Sequence, residues 1–311
     1  MKKLFFLKRL FSSIFLLVSK QFYGGQAVMN GVMMKGRNHY VISVNTSKGI
    51  KTDVFDYTNW PRKYKLFSLP IIRGIVGFIE VMGIGYRSIS HSANVVLEDE
   101  TGEQVEESKS LTFVMFGTLL FSMLLAIFLF KFLPLGTATL INKFWPVSSA
   151  VFNLIDGFVK IIIFVMYIYL IGLTKDIKEL FRYHGGEHKT INCYESGDSL
   201  SIKNILAHSQ VHLRCGTTFL FVVIFFSIVT YLFIPKSIPF GYNLLLRLAL
   251  LPLIAGVSYE VQQLYARKKY LLIRPLIIPG LWLQSLTVNS PGPKHARTAK
   301  ASLTTLLKIE K

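Results

Sequence analysis

Disulfide chemistry has little to work with in this chain. Its 311 residues include two cysteines, Cys193 and Cys215, which lie 22 residues apart. They have no CxxC spacing, so no disulfide framework is implied. An inert, buried or semi-buried thiol is the expectation for both. Acidic residues are also scarce: 17 Asp and Glu stand against 35 Lys and Arg, a formal charge of +18. Basic residues do not gather with interleaved aromatics or Gly-rich loops, as nucleic-acid binding would require, and instead bracket apolar runs. Membrane lipid, anionic lipid above all, is therefore the expected partner of the charge, and nucleic acid is not. GxGxxG and GxxxxGK phosphate loops are missing, and no internal repeat is evident. The opening MKKLFFLKRLFSSIFLLVSK has no small-residue cleavage pattern, and Lys8 and Arg9 interrupt its apolar body. Residues 1–20 therefore suggest an amphipathic helix or retained anchor rather than a cleaved signal.

Apolar residues, by contrast, are abundant. They make up 51% of the chain and the mean hydropathy is +0.45, too apolar and too clustered for one soluble core. The fold class expected is an α-helical integral membrane protein with about four transmembrane helices and a small N-terminal cytoplasmic β-rich region. Runs at 111–133, 151–173, 216–234 and 244–264 are each long enough for a hydrocarbon core of about 30 Å. Orientation follows from charge. Fifteen Lys and Arg precede the first run, six fall between 174 and 215, and nine lie from 267 onward, whereas the connectors 134–150 and 235–243 hold one each. Both termini and the loop 174–215 are then cytoplasmic.

The remaining divisions follow from pattern. Residues 21–69 alternate Val, Ile, Tyr and Thr with polar residues, as short strands and hairpins do. Residues 70–110 suggest an interfacial or re-entrant helix, with glycines at 74, 77, 83 and 85 that favour close helix approach, followed by a solvated acidic linker, LEDETGEQVEESKS. The four-span domain is 111–264. Residues 265–311 suggest an interfacial segment, broken by Pro275 and Pro279, and a basic flexible tail ending in a short helix. Asp156 and Lys160 lie four apart within a span, as an internal ion pair or as two side chains near the outer interface.

The stretch that could carry chemistry is RYHGGEHKTINCYESGD, residues 182–198. It contains HxxEH: His184 and His188 would share a helical face and bind one divalent metal, zinc by donor type, with Glu187 as general base. Gly185 and Gly186 work against that helix by roughly 1 kcal/mol each relative to alanine, so a loop is an equal expectation. Nearby, HSQVHLRCGTT supplies His208 and His212, placing four of seven histidines within 29 residues. Further ligands open to the site are His208, His212, Glu195 and Asp198, or Cys193 or Cys215 in a structural zinc site. Glu260, near the end of the fourth run, is the remote carboxylate best placed to reach the loop. GGQAVMNGVMMKG is a glycine-punctuated turn that brings backbone near something, the site included.

Taken together, GGQAVMNGVMMKG, YHGGEHKTINCYE, HLRCGTTF, LLPLIAGVSYE and PGLWLQ resemble the YqhQ-like bacterial membrane proteins, a family of unknown function described as predicted metal-dependent enzymes. The resemblance runs from about residue 23 to 286. It implies a bacterial cytoplasmic membrane location. It also implies that His184, Glu187, His188, His212, Arg214, Cys215 and Glu260 occupy motif positions and that His208 does not. The metal set it suggests is His184, His188 and His212, with Glu187 or Glu260 as base or fourth ligand. This chain departs from the family's usual pattern at Asn30, where Glu is common, at Leu213, where Pro is common, and in SLTVNSPGPKHAR, where an acidic segment is common.

The function expected is a membrane-embedded metal-dependent hydrolase acting at the cytoplasmic face on a peptide or lipid, with catalytic Glu187 and a charge-stabilising Arg214. The alternative is a non-enzymatic assembly factor, scaffold or transporter accessory that docks other membrane proteins. A channel is disfavoured, because Asp156 and Lys160 are the only interior charges of the expected spans, Lys131, Arg247 and Glu260 lying near their ends, and no inverted repeats are visible.

Overall fold

The computed structural model describes residues 23–102, 109–268 and 270–310; the expected N-terminal amphipathic segment, 1–20, lies outside them. Four short strands come first: β1 (Gly24–Val28), β2 (Gly31–Lys35), β3 (His39–Thr46) and β4 (Gly49–Asp56). They form an antiparallel meander in the order β1-β2-β3-β4. Two-residue turns join β1 to β2 and β3 to β4, with Val28 opposite Gly31 and Thr46 opposite Gly49. Asn30 has φ 48°, the left-handed region that Asn tolerates better than most residues. Its place in the turn accounts for an Asn there, whatever an acidic residue does in relatives.

Twelve α-helices follow among the described residues: α1 (Trp60–Lys63), α2 (Ile72–Thr101), α3 (Lys109–Ile127), α4 (Leu133–Phe144), α5 (Ser149–Ile171), α6 (Lys175–Glu195), α7 (Ile202–Ala207), α8 (Gly216–Tyr231), α9 (Phe240–Ala249), α10 (Leu251–Lys268), α11 (Arg274–Thr287) and α12 (Pro293–Ile309). The sheet is covered on both faces, which is why β3 buries five consecutive residues instead of alternating. Tyr40, Ile42 and Val44 pack with Ile84 and Val95 of α2. Val32, Met34 and Val41 pack with Ile191 of α6 and with Ala299, Leu303 and Leu306 of α12.

Two expectations change here. Residues 293–309 are a packed helix rather than a flexible tail, and Glu310 after it accepts backbone N–H bonds from Arg37, Asn38 and His39 at 2.6 to 3.1 Å. The acidic stretch does not begin as a linker. Its first residues, 97–101, complete α2, where Asp99 accepts a bond from the Ser47 amide at 2.7 Å, and Gly102 ends the helix at φ 72°; residues 103–108 lie outside the described residues.

Among the described residues, three helical stretches are long and apolar enough to cross a membrane: Gly117–Phe144, Ser149–Ile171 and Phe240–Ala266. The first continues past its expected end at 133 through a π-turn, Phe128–Phe132, which accommodates Pro134 at the start of α4. The expected span at 216–234 differs: α8 has 16 residues, about 24 Å at 1.5 Å per residue, short of a core of about 30 Å. It packs instead against α11, where Gly280 faces Thr218. Segment 274–287 is accordingly helical despite its prolines, with Pro275 in the first turn and Pro279 inside.

Polar side chains tie this helical layer together. Asp156 pairs with Lys160 at 3.1 Å and with Arg247 at 2.6 Å, all three almost fully buried. Arg247 also bonds Asn243 at 2.7 Å, and Lys131 donates to the Tyr231 hydroxyl at 2.9 Å. Burial of Asp156 and Lys160 favours the internal ion pair over two side chains reaching for the interface. Near the other end of the layer α2 crosses α10 closely, because a methyl on Gly74 would lie 2.9 Å from the Gly256 oxygen.

Candidate metal centre

The HxxEH motif lies on α6, a continuous helix of 21 residues, so the loop alternative does not hold. Local propensity disfavours Gly185 and Gly186 there, and tertiary contact explains them. A side chain at Gly185 would overlap the Asn289 carbonyl and lie 3.1 Å from Pro291 Cδ; one at Gly186 would lie 3.1 Å from the His295 carbonyl oxygen. The chain after α11 and the first turn of α12 thus rest directly on the α6 backbone, and the Asn289 amide donates to the Phe181 carbonyl at 3.0 Å.

This arrangement fixes both imidazoles. His184 Nδ1 lies 2.9 Å from the Thr287 carbonyl and His188 Nδ1 lies 2.6 Å from the Gln210 carbonyl. A carbonyl can only accept, so each Nδ1 carries a proton and, in the neutral ring, each Nε2 presents a lone pair, the orientation found in metal-ligating histidines. The ring centroids are 4.4 Å apart. Cys215 Sγ sits 3.4 Å from His184 Nε2, and donor atoms of His184, His188 and Cys215 all lie within 4.8 Å of one another. Tetrahedral zinc with bonds of about 2.0 Å to nitrogen and 2.3 Å to sulfur puts those atoms about 3.5 Å apart. The Cys215–His184 edge already has that length, and the other two edges are no longer than 4.8 Å. Cys215 is held by position: it caps α8, accepting from the Thr217 amide at 3.4 Å, and its carbonyl accepts from Gln262 at 3.1 Å.

Glu187 is 3% exposed, and its Oε2 is 3.4 Å from His188 Nε2. Burial pushes its carboxyl above the usual range, against the pull of His184, His212 and Arg214. Gly25 of β1 lies directly over it, since a methyl there would be 2.5 Å from Glu187 Cγ. The backbone approach that the GGQAVMNG turn suggested is thus made onto the middle residue of the motif.

His212 stands beside the cluster, its ring 5.5 Å from that of His188 and its Nε2 3.8 Å from Glu195. Its backbone is pinned by Gln284, which accepts from its amide at 3.0 Å and donates to its carbonyl at 2.7 Å. Arg214 forms an ion pair with Glu195 and donates to the Tyr23 carbonyl at 3.3 Å. Burial acts to raise the Glu195 carboxyl, but hydrogen bonds from His212 and Arg214 and the Arg214 charge outweigh it and hold it at about 2.

Glu260 faces away from this group: it accepts from Arg73 Nε at 2.7 Å and from the Ile71 amide at 3.3 Å, closing the start of α2 onto α10. His208 pairs with Asp198 at 2.9 Å on the surface. Cys193 is buried and directs its thiol toward the Ser199 carbonyl at 3.6 Å. Sequence reasoning passed over Gln262 and Gln284. Their one signal was position, within or beside the motifs LLPLIAGVSYE and PGLWLQ.

The model of the family described as "Protein of unknown function (DUF1385)" matches residues 69–309. The chain belongs to the DUF1385 family. It is also 34% identical over 303 residues to the "Uncharacterized protein YqhQ" of Bacillus subtilis (strain 168), with 93% of each chain covered. No solved structure matches it. The DUF1385 match takes in α6, Cys215, Gln262, Gln284 and α12. It begins after the sheet, so Gly25 and Tyr23 meet the site from outside the matched region.

Proposed function

We propose that this DUF1385 protein is a zinc-dependent hydrolase working at the cytoplasmic surface of the bacterial membrane, with His184, His188 and Cys215 as the metal ligands. The observation that carries the reading is the convergence of two Nε2 lone pairs and one thiol, with both imidazoles oriented by backbone carbonyls. The ligand set differs from the one the family resemblance suggested, with Cys215 in place of His212. A three-residue set leaves a coordination position open, as catalytic sites do and structural ones do not. Bound there, zinc would supply a Lewis acid and a means of generating a nucleophile from water at neutral pH.

The chain's own groups take the remaining roles. Glu187, buried and beside His188, receives a proton, and its raised carboxyl range brings it nearer the pKa suited to a general base. His212, beside the cluster and paired with the low-pKa Glu195, is placed to donate one. Arg214 holds Glu195 and thereby positions His212, so its service is indirect. The excess of Lys and Arg in 1–110, in 174–215 and beyond 267 supports a cytoplasmic setting for both termini and the site.

The test is elemental analysis of purified protein beside His188→Ala and Cys215→Ser. One zinc per wild-type chain, with loss in both variants, is expected. Absence of stoichiometric metal from the wild type, or full zinc in Cys215→Ser, rejects the ligand set. A second reading comes from the 3.4 Å contact of Cys215 with His184, which also suits a thiol nucleophile and its base. Metal-free protein whose Cys215 is alkylated rapidly, and slowly in His184→Ala, would favour it.

A further inference from the structure

A second feature lies where α5 ends and α6 begins. Gly172 caps α5, one of the three helices able to cross a membrane, and forms part of the wall of an open cavity of about 380 Å³. From α6 the cavity is lined by Lys178, Phe181 and Arg182, and from the end of α11 and the chain after it by Leu286, Asn289 and Ser290. Lys175, Lys178 and Arg182 are exposed on α6 at i, i+3 and i+7, a single helical face. Among the described residues Lys178 has no carboxylate partner. Arg182 shares Glu179, at 3.1 Å, with Lys294 and His295, so that carboxylate is already neutralised.

We propose that this cavity binds the phosphate of an anionic glycerophospholipid. Its cations meet the phosphate, the Asn289 and Ser290 groups meet the polar headgroup, and Phe181 and Leu286 meet the first carbons of the acyl chains. Position argues for a lipid over a free anion, because the cavity opens at the level where an apolar helix ends. The wall shared with the candidate metal centre is the chain at 286–290, whose Thr287 carbonyl holds His184. The inference rests on the membrane reading and not on the metal.

The test uses full-length protein in detergent, titrated with short-chain phosphatidylglycerol, short-chain phosphatidylcholine or inorganic phosphate, and followed by thermal shift. The proteins compared are the wild type, Lys178→Gln/Arg182→Gln, and Lys48→Gln/Lys51→Gln as a remote charge control. Phosphatidylglycerol should bind wild type and control alike and bind the cavity variant roughly 30-fold more weakly, the loss of two cations at about 1 kcal/mol each. Equal binding by the cavity variant overturns the proposal, as does equal binding of phosphatidylcholine or inorganic phosphate to wild type. Zinc content measured on the same samples keeps the two sites distinct: the cavity variant should retain the metal of the wild type.

Discussion

Gly185→Ala separates local preference from tertiary fit, because the two demand opposite signs. In an isolated helix the change stabilises by about 1 kcal/mol. In this protein the new methyl would overlap the Asn289 carbonyl oxygen and lie 3.1 Å from Pro291 Cδ and 3.4 Å from the Asn289 carbonyl carbon. Backbone cannot rotate aside as a flexible side chain can, so the chain at 289–291 must move. Overpacking of that kind costs about 1–3 kcal/mol, and the displaced bond from the Asn289 amide to Phe181 adds about 0.5–1.5 kcal/mol. The net expectation is a destabilisation of about 2 kcal/mol, the loss exceeding the propensity gain. Gly77→Ala is the control, since a methyl there meets nothing within 4 Å, and it should stabilise slightly. Thermal unfolding in detergent measures both. A Gly185→Ala protein as stable as wild type would refute the close packing of α6 against the chain at 289–291, and with it the account of how His184 is oriented.

Other perturbations follow from the same structure. Asp156→Asn removes the one carboxylate between Lys160 and Arg247, and should destabilise by about 3–5 kcal/mol, the range for breaking a buried pair; an unchanged unfolding midpoint would contradict the burial of that cluster. Gln284→Leu strands the His212 amide and carbonyl, each at about 1–3 kcal/mol, and zinc content should survive it if Cys215 is the third ligand. Glu310 is drawn down from its usual carboxylate value, burial notwithstanding, by the amides of Asn38, Arg37 and His39. Its contribution is therefore present above about pH 4.3 and lost as pH falls through the lower folded value. Acid titration of Glu310→Gln should show a shallower loss of stability over that window, and a slope equal to wild type would count against the contact.

How far the fold could be read depends on what each segment packs against. The strands were legible because alternation and turn residues are local signals, and the antiparallel meander followed them. Residues 293–309 hid their helix. Its buried stripe is Ala296, Ala299, Leu303 and Leu306, two of them too small to weigh in a hydropathy reading and all set among lysines, arginines and threonines. The run at 216–234 was ambiguous for the opposite reason. An apolar segment has one appearance whether it faces lipid or a neighbouring helix, and here the helix α8 is shorter than the run and packs against α11. The paired histidines were visible from spacing, whereas Cys215 was one of several ligands left open, since nothing local to a cysteine 31 residues after His184 announces a contact with it.

The glycines that weakened the helix reading are what make the site rigid. Three separate pieces of backbone or near-backbone rest on two turns of α6: β1 at Gly25 over Glu187, the chain at 289–291 over Gly185, and the first turn of α12 over Gly186. Those same two turns carry His184, Glu187 and His188. A connector needs no such convergence, and alanine at both glycines would make a better isolated helix by about 2 kcal/mol. The close contacts leave the two imidazoles bonded to fixed carbonyls and the Glu187 carboxyl buried beside His188, the kind of preorganisation that a metal or catalytic site needs. HxxEH spacing therefore supports chemistry at this site less than the packing that holds the motif does.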